Sequence, residues 1–379
     1  MIIQSKRVWI ANQFIPAQIK VDQGIIVDIY DYNRYKPTID YNNYRLVPGF
    51  IDIHCHGAYG FDTNYANRDG LINWIKKIPS EGVTGFLPTT ITNSEEVLSK
   101  ALNNVSNVYK ENIKGAQILG VHFEGPFLDT TYKGAQPIQY IIKPDIDMFE
   151  RLNKISNNLI KIVTLAPEHD EDFKFTHYLR EHNIVPSIGH SSANYHQVLM
   201  AIAAGAKSMT HIYNGMSAFN HRENNLIGAA LRVEGIFGEV ICDGNHSSFE
   251  SLNMLYRLKG KDEIIMITDA LMCKGSKVGS TFDFGGNTIE IVSNGTAYIK
   301  DLDTLAGSTL KMNEGLRNLV EKAYIPFDHA LRSCTINPAK LLNIDNYKGK
   351  LHVGYDADIV VLDDQYNVIQ TYCKGYESL

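Results

Sequence analysis

Val47-Pro48-Gly49-Phe50-Ile51-Asp52-Ile53-His54-Cys55-His56-Gly57 is an apolar run that stops at two histidines one residue apart. Along a strand, successive side chains point to opposite faces, so His54 and His56 share one face while Cys55 takes the other. Two imidazoles on one side of a strand end can grip a single metal ion. The segment also reads as a pair of exposed loop histidines, and its surroundings decide between the two.

Counting the first at residues 46–53, eight short apolar runs punctuate the chain, the others at 85–87, 117–123, 160–165, 184–188, 208–212, 238–242 and 263–267. Between them lie helical patterns, as at 94–109, 171–181, 195–203 and 249–258. Strand alternating with helix eight times is the pattern of an α/β fold of the (β/α)8 TIM-like barrel type; a doubly wound open sheet is the other fold it allows. Nearly every run ends in polar residues: His54 and His56, Thr89 and Thr90, Glu124, Glu168, His190, His211 and Asn214, Asp243 and His246, and Asp269. In a barrel all of these ends meet on the face where active sites are built. Both termini differ in style, with short β-rich segments and turn residues. The expected organisation is a small β-sandwich domain from residues 1–47 and 347–379 around a catalytic barrel at 48–346.

Composition narrows the function. The chain has 379 residues, 44% hydrophobic and 21% charged, the balance of an ordinary soluble enzyme. A net charge of -6 argues against a nucleic-acid partner and leaves a small molecule as the expected ligand. Five scattered cysteines, Cys55, Cys242, Cys273, Cys334 and Cys373, imply neither a disulfide framework nor a zinc ribbon. With no apolar run of about 18 residues and no leader-like N-terminus, the expected location is cytoplasmic, with no membrane contact.

Glu124 follows Gly120-Val121-His122-Phe123, His190 closes Pro186-Ser187-Ile188-Gly189, and His211 closes Met209-Thr210. One carboxylate and two imidazoles leave a coordination position open, the arrangement of a catalytic metal site. His54 and His56 can then hold a second ion, with Glu124 bridging. Asp269, at the end of the eighth run, reads either as an N-cap or as the base and acid that such a site needs. Two-metal barrel hydrolases often bridge their ions with a carboxylated lysine at the fourth strand; the lysine of the fourth run here, Lys161, is at the wrong end, which favours a Glu124-centred site.

These residues resemble the amidohydrolase superfamily and, within it, the N-acetylglucosamine-6-phosphate deacetylases. The motifs that carry the resemblance span nearly the whole chain: Pro48 to Gly57, His122-Phe123-Glu124-Gly125-Pro126, Lys133-Gly134-Ala135, Gly189-His190-Ser191, Thr210-His211-Ile212-Tyr213-Asn214-Gly215-Met216, Asp243-Gly244-Asn245-His246, Thr268-Asp269-Ala270, Leu305-Ala306-Gly307-Ser308, Asn337-Pro338-Ala339 and Gly354-Tyr355-Asp356-Ala357-Asp358. The resemblance implies metal-dependent hydrolysis of the N-acetyl group of N-acetyl-D-glucosamine 6-phosphate, with one or two divalent ions, zinc or iron. It makes Glu124, His190 and His211 the principal ligands and Asp269 the proton shuttle. Sugar contacts fall on Ala135, Asn214, Gly215, Leu305, Ala306 and Gly307, and phosphate contacts on Arg222 and His246 with the loop from Asp243.

The resemblance also implies a homodimer in which Arg222 serves its own or its neighbour's site; the residues alone also read Arg222 as a solvated surface charge. Gln136 stands where some relatives have a histidine that polarises the carbonyl, and glutamine donates a hydrogen bond without carrying charge. Other readings are an amidohydrolase acting on a cyclic amide or dipeptide-like substrate, with no use for a phosphate subsite, and a non-catalytic scaffold, from which lost ligands are expected.

Overall fold

Each of eight strands in a computed structural model that describes residues 1–302 and 304–378 is followed by a helix, and the strands pair in parallel in chain order. They are β1 (Phe50–Cys55), β2 (Val83–Thr90), β3 (Val121–Glu124), β4 (Ile160–Leu165), β5 (Val185–Ile188), β6 (Ser208–Met209), β7 (Phe237–Ile241) and β8 (Ile264–Ile267). The helices are α1 (Arg68–Lys77), α2 (Glu95–Lys110), α3 (Ile146–Ile155), α4 (Lys174–Glu181), α5 (Tyr195–Ala204), α6 (Asn225–Arg232), α7 (Phe249–Lys259) and α8 (Met312–Glu321). Past its end β8 meets β1 through the parallel bridge Cys55–Ala270, and the Asp269 amide donates to the His54 carbonyl at 2.9 Å. The result is a (β/α)8 barrel, the fold that the strand-helix alternation predicts.

Local chemistry sets the element boundaries. Ser94 caps α2 by accepting from the Val97 amide, and Asn194 and Gln197 form a reciprocal capping box at α5. The apolar run at 46–53 is divided between two sheets, Arg45–Pro48 in the terminal sheet and β1 in the barrel. Gly49 makes the break: a Cβ there would lie 2.1 Å from Thr84 Oγ1. The run at 117–123 is likewise cut into Gln117–Ile118 and β3 by Gly120, whose φ of 152° suits glycine.

Between strands and helices lies the main core, where Trp74, Phe86, Phe123, Phe149 and Phe175 are buried. Burying such a ring contributes roughly 1.5–3 kcal/mol relative to exposure. Inside the barrel the lining is polar: His122 Nε2 meets Thr164 Oγ1 at 2.8 Å, Thr164 meets Thr210 at 2.8 Å, and Thr210 meets Ser187 at 2.7 Å. A hydrogen-bonded interior of this kind supports polar groups at the mouth above it.

The termini form one mixed sheet in the order Tyr376–Glu377, Val368–Cys373, Ile359–Leu362, Arg45–Pro48, Ile2–Ile10, Gln13–Asp22, Ile25–Asp31, with Ile39–Asp40 added beside Ile2–Ile10. Ile25 bridges to Asp356, so the far edge returns toward the middle and the sheet folds over its own core of Ile3, Ile19, Ile26, Leu46, Ile359 and Tyr372. A third sheet was not anticipated from the sequence. Thr281–Phe284, Asn287–Ile291, Ala297–Ile299 and Leu305–Gly307 form an antiparallel meander inserted between β8 and α8. Its inner side packs with Ile91, Ala135 and Leu271, which sets it over one edge of the mouth. Among the described residues no helix is long and apolar enough to cross a membrane.

Candidate active site

Glu124 is the last residue of β3, while His190 and His211 each stand two residues beyond β5 and β6. All three are buried and converge: His211 Nε2 lies 3.1 Å and His190 Nε2 3.4 Å from Glu124 Oε1, and the two Nε2 atoms are 3.1 Å apart. His190 Nδ1 faces the Tyr132 carbonyl at 2.8 Å and His211 Nδ1 the Asn214 carbonyl at 3.1 Å. A carbonyl only accepts, so both Nδ1 atoms carry hydrogens and both Nε2 lone pairs point at each other and at a carboxylate. Such a group of acceptors repels itself unless protons or a cation sit among them.

On the other side of Glu124 stand His54, His56 and Asp269. His56 Nε2 is 3.3 Å from Glu124 Oε2 and 3.2 Å from Asp269 Oδ1; His54 Nε2 is 3.4 Å from Glu124 Oε1 and 3.5 Å from Asp269 Oδ1. His54 Nε2 is buried without a hydrogen-bond partner, while its Nδ1 meets Glu239 Oε2 at 2.9 Å. Burial pulls the His56 pKa down, but its hydrogen bonds to Asp269 and Glu124 outweigh this and lift it to about 9. His54 is held well above an ordinary imidazole in the same way, burial being outweighed by the charges of Glu124 and Glu239. Burial pushes Asp269 up, yet the hydrogen bond from His56 and the charges of His54 and His56 keep it below the usual carboxylate range. The cluster therefore holds charge of both signs out of water, and a divalent cation replacing the protons suits its nitrogen and oxygen donors. His54, His56 and Asp269 form one group of potential ligands, and Glu124, His190 and His211 another.

The backbone adopts an uncommon form at these positions. His190, His211 and Asp269 have φ of 47°, 34° and 50°, the left-handed region that non-glycine residues seldom occupy. Each turns the chain sharply at a strand end, the local strain often stored at functional sites.

A cleft of about 350 Å³ opens above the cluster, within the range of small-ligand sites. It is lined by Ala135, Gln136, Asn214, Gly215, His246, Leu305, Ala306 and Gly307, together with Gly134, Phe284, Tyr298 and Thr304, which the sequence reading missed. The hairpin that brings in Phe284 carried a signal, since Gly285-Gly286 joins two strands as a two-residue turn. Gln136 Nε2 donates to Glu124 Oε2 at 2.7 Å and its Oε1 accepts from the Thr92 amide at 2.8 Å, which fixes the amide orientation. Asp243 stands behind His246, accepting from its Nδ1 at 2.7 Å; burial lowers the His246 pKa, but this hydrogen bond raises it further.

Two expected residues are elsewhere. Arg222 is exposed in a loop where its amide donates to Asn220 Oδ1, and it is not among the residues lining this cleft. Glu168 lies three residues beyond β4, in the short 3-10 turn Pro167–His169, where it accepts from Ser191 and Ser192, and it does not line the cleft. Glu239, also missed, was visible as a lone charge inside the run at 238–242.

Known proteins share this chain's sequence and fold. The family described as Amidohydrolase family matches residues 45–377. N-acetylglucosamine-6-phosphate deacetylase of Bacillus subtilis (strain 168) is 41% identical over 333 residues, covering 87% of this chain and 83% of that one. N-acetylgalactosamine-6-phosphate deacetylase of Escherichia coli O157:H7 is 31% identical, covering 87% of this chain and 86% of its own. The crystal structure of N-acetyl-D-glucosamine-6-phosphate deacetylase from Mycobacterium smegmatis superposes with a TM-score of 0.94 at 26% identity, covering 100% of both chains.

Proposed function

This chain belongs to the amidohydrolase family, and from that premise we propose that its barrel mouth hydrolyses N-acetyl-D-glucosamine 6-phosphate to D-glucosamine 6-phosphate and acetate, a step of amino-sugar metabolism. The observation that carries the reading is the buried ring of Glu124, His190, His211, His54 and His56 with Asp269 at its edge, under a cleft whose rim holds His246. The reaction depends on a divalent metal, and we assign one or two ions, zinc or iron, to those ligands. When bound, such an ion supplies Lewis acidity toward the acetyl carbonyl and toward water.

The chain's own groups do the rest. Asp269, kept ionised beside His56, takes the proton of the attacking water as the new C–O bond forms. It then hands that proton to the sugar nitrogen as the C–N bond breaks, so that an amine leaves instead of an amide anion. Gln136 holds Glu124 in place, and Asn214, Gly215, Ala135 and the Leu305 to Gly307 wall orient the sugar. His246, with Asp243 behind it, offers the phosphate a charge-assisted donor. Arg222 offers a guanidinium fork, and its exposure outside the lining of its own cleft supports a homodimer in which it serves the partner's phosphate site. The division expected at 47/48 and 346/347 into a catalytic unit and a smaller one is drawn one residue later at its first boundary, because Pro48 pairs with Ile359 in the terminal sheet and the strand breaks at Gly49. A charged sugar phosphate does not cross a bilayer unaided, which supports a cytoplasmic location.

The test is acetate release from N-acetylglucosamine 6-phosphate with metal content measured on the same sample. Turnover that falls with chelation and returns with metal is expected; a fully metallated sample that releases no acetate overturns the reading. The galactosamine epimer in the same assay measures how strictly the sugar is chosen.

A further inference from the structure

We propose that Glu239 is a positioning residue that fixes the tautomer of His54 and so governs whether the His54–His56–Asp269 side of the cleft takes a cation beside that of Glu124, His190 and His211. The proposal rests on the metal-dependent reading above and assigns a role to a residue that lies outside the cleft lining.

Glu239 sits in the middle of β7 and is fully buried. Its Oε2 lies 2.9 Å from His54 Nδ1, and its Oε1 has no hydrogen-bond partner. A buried carboxylate with so little satisfaction is costly to the fold, so its one bond to His54 needs an explanation beyond stability. The Nδ1 atom gives its hydrogen to the Glu239 carboxylate, so Nε2, which faces Glu124 Oε1 at 3.4 Å and Asp269 Oδ1 at 3.5 Å, is the nitrogen left to exchange its proton for a cation. That Nε2 is buried and unpartnered, as a ligand atom awaiting a cation would be. The His122 ring packs against His54 at 4.5 Å, tied by Nδ1 to the Ile53 carbonyl and by Nε2 to Thr164, and blocks the imidazole from swinging aside.

The two sides of the cleft are thus anchored differently. His190 and His211 are oriented by backbone carbonyls, whereas His54 is oriented by a buried carboxylate. A carboxylate behind an imidazole raises its basicity as a ligand and locks the ring, and losing such a partner typically weakens metal binding about 10–100-fold.

The test measures zinc bound per chain across buffered free zinc for the wild type, Glu239→Gln, Glu239→Ala, His54→Ala and the Glu239→Ala/His54→Ala double variant, with circular dichroism as a check of folding. The wild type is expected to take two ions. Both Glu239 variants should keep the tighter ion at wild-type affinity and bind the weaker one about 10–100-fold less well, and Glu239→Ala should add nothing in the His54→Ala background. A single ion in the wild type, two ions at unchanged affinity in Glu239→Ala, or a further loss in the double variant would each overturn the proposal. Should the variants fail to fold, nitrogen-15 NMR of histidines in the zinc-loaded wild type still decides it: His54 protonated on Nδ1 supports the proposal, and a neutral His54 protonated on Nε2 alone sinks it. Acetate release by a one-ion enzyme would defeat this inference while leaving the deacetylase reading intact.

Discussion

At the floor of the cleft, Glu124, His190, His211, His54, His56 and Asp269 each stand on a barrel strand or within two residues of its end, all of them buried. At the lip, Phe284, Tyr298 and the Leu305 to Gly307 segment ride on an inserted meander with its own small core, and Arg222 sits on an exposed loop. The floor is located by the parallel hydrogen-bond ladder of the whole barrel. The lip is joined to it by a small core shared with Ile91, Ala135 and Leu271 and by the Ala270–Ser308 bridge, outside the parallel ladder itself. Groups that must hold their mutual geometry are thus placed on the rigid element, and groups that choose the substrate on parts that can change independently. Floor substitutions should act on kcat, and lip substitutions on KM.

The largest effect tests the floor. Asp269→Asn keeps the shape and removes the base, so kcat for acetate release should fall about 10²–10⁴-fold with KM within a few-fold; a change confined to KM would break the division. Next comes the lip. His246→Asn or Arg222→Met should raise KM for the phosphorylated sugar roughly 10–100-fold, as expected for a lost charged hydrogen bond of about 1.5–3 kcal/mol, while kcat stays within a few-fold. Steady-state kinetics with phosphorylated and unphosphorylated sugars would show whether the loss belongs to the phosphate.

A smaller effect concerns pH. Because the His246 pKa is raised by its hydrogen bond to Asp243 against the pull of burial, the imidazolium persists above the ordinary value of 6.5. Phosphate affinity should be full below that raised pKa and weaken as pH climbs through it. Asp243→Asn removes the cause, so the rise in KM should begin at lower pH; an unmoved profile would take His246 out of the phosphate site.

Much of this was legible in the sequence, for a local reason. Strand runs and the polar residues ending them are neighbours in the chain, so His54, Glu124, His211 and Asp269 announce a shared face once a barrel is assumed. Features that depend on distant partners were not. Gly49 divides one apolar run between two sheets because Thr84 crowds it. Glu168 resembles the other strand-end carboxylates until Ser191 and Ser192 claim its oxygens. Glu239 acquires meaning only when β1 and β7 bring it to His54. The meander was the avoidable omission, since Gly285-Gly286 between β-rich segments marks a hairpin.

The left-handed conformations of His190, His211 and Asp269 have a consequence for engineering. A side chain in that conformation costs about 1–2 kcal/mol that glycine avoids. Asp269→Gly should therefore melt at a higher temperature than Asp269→Ala, though both are inactive. A search for thermotolerance that ignored turnover would drift toward glycine at all three corners, trading the reagent for a more comfortable chain.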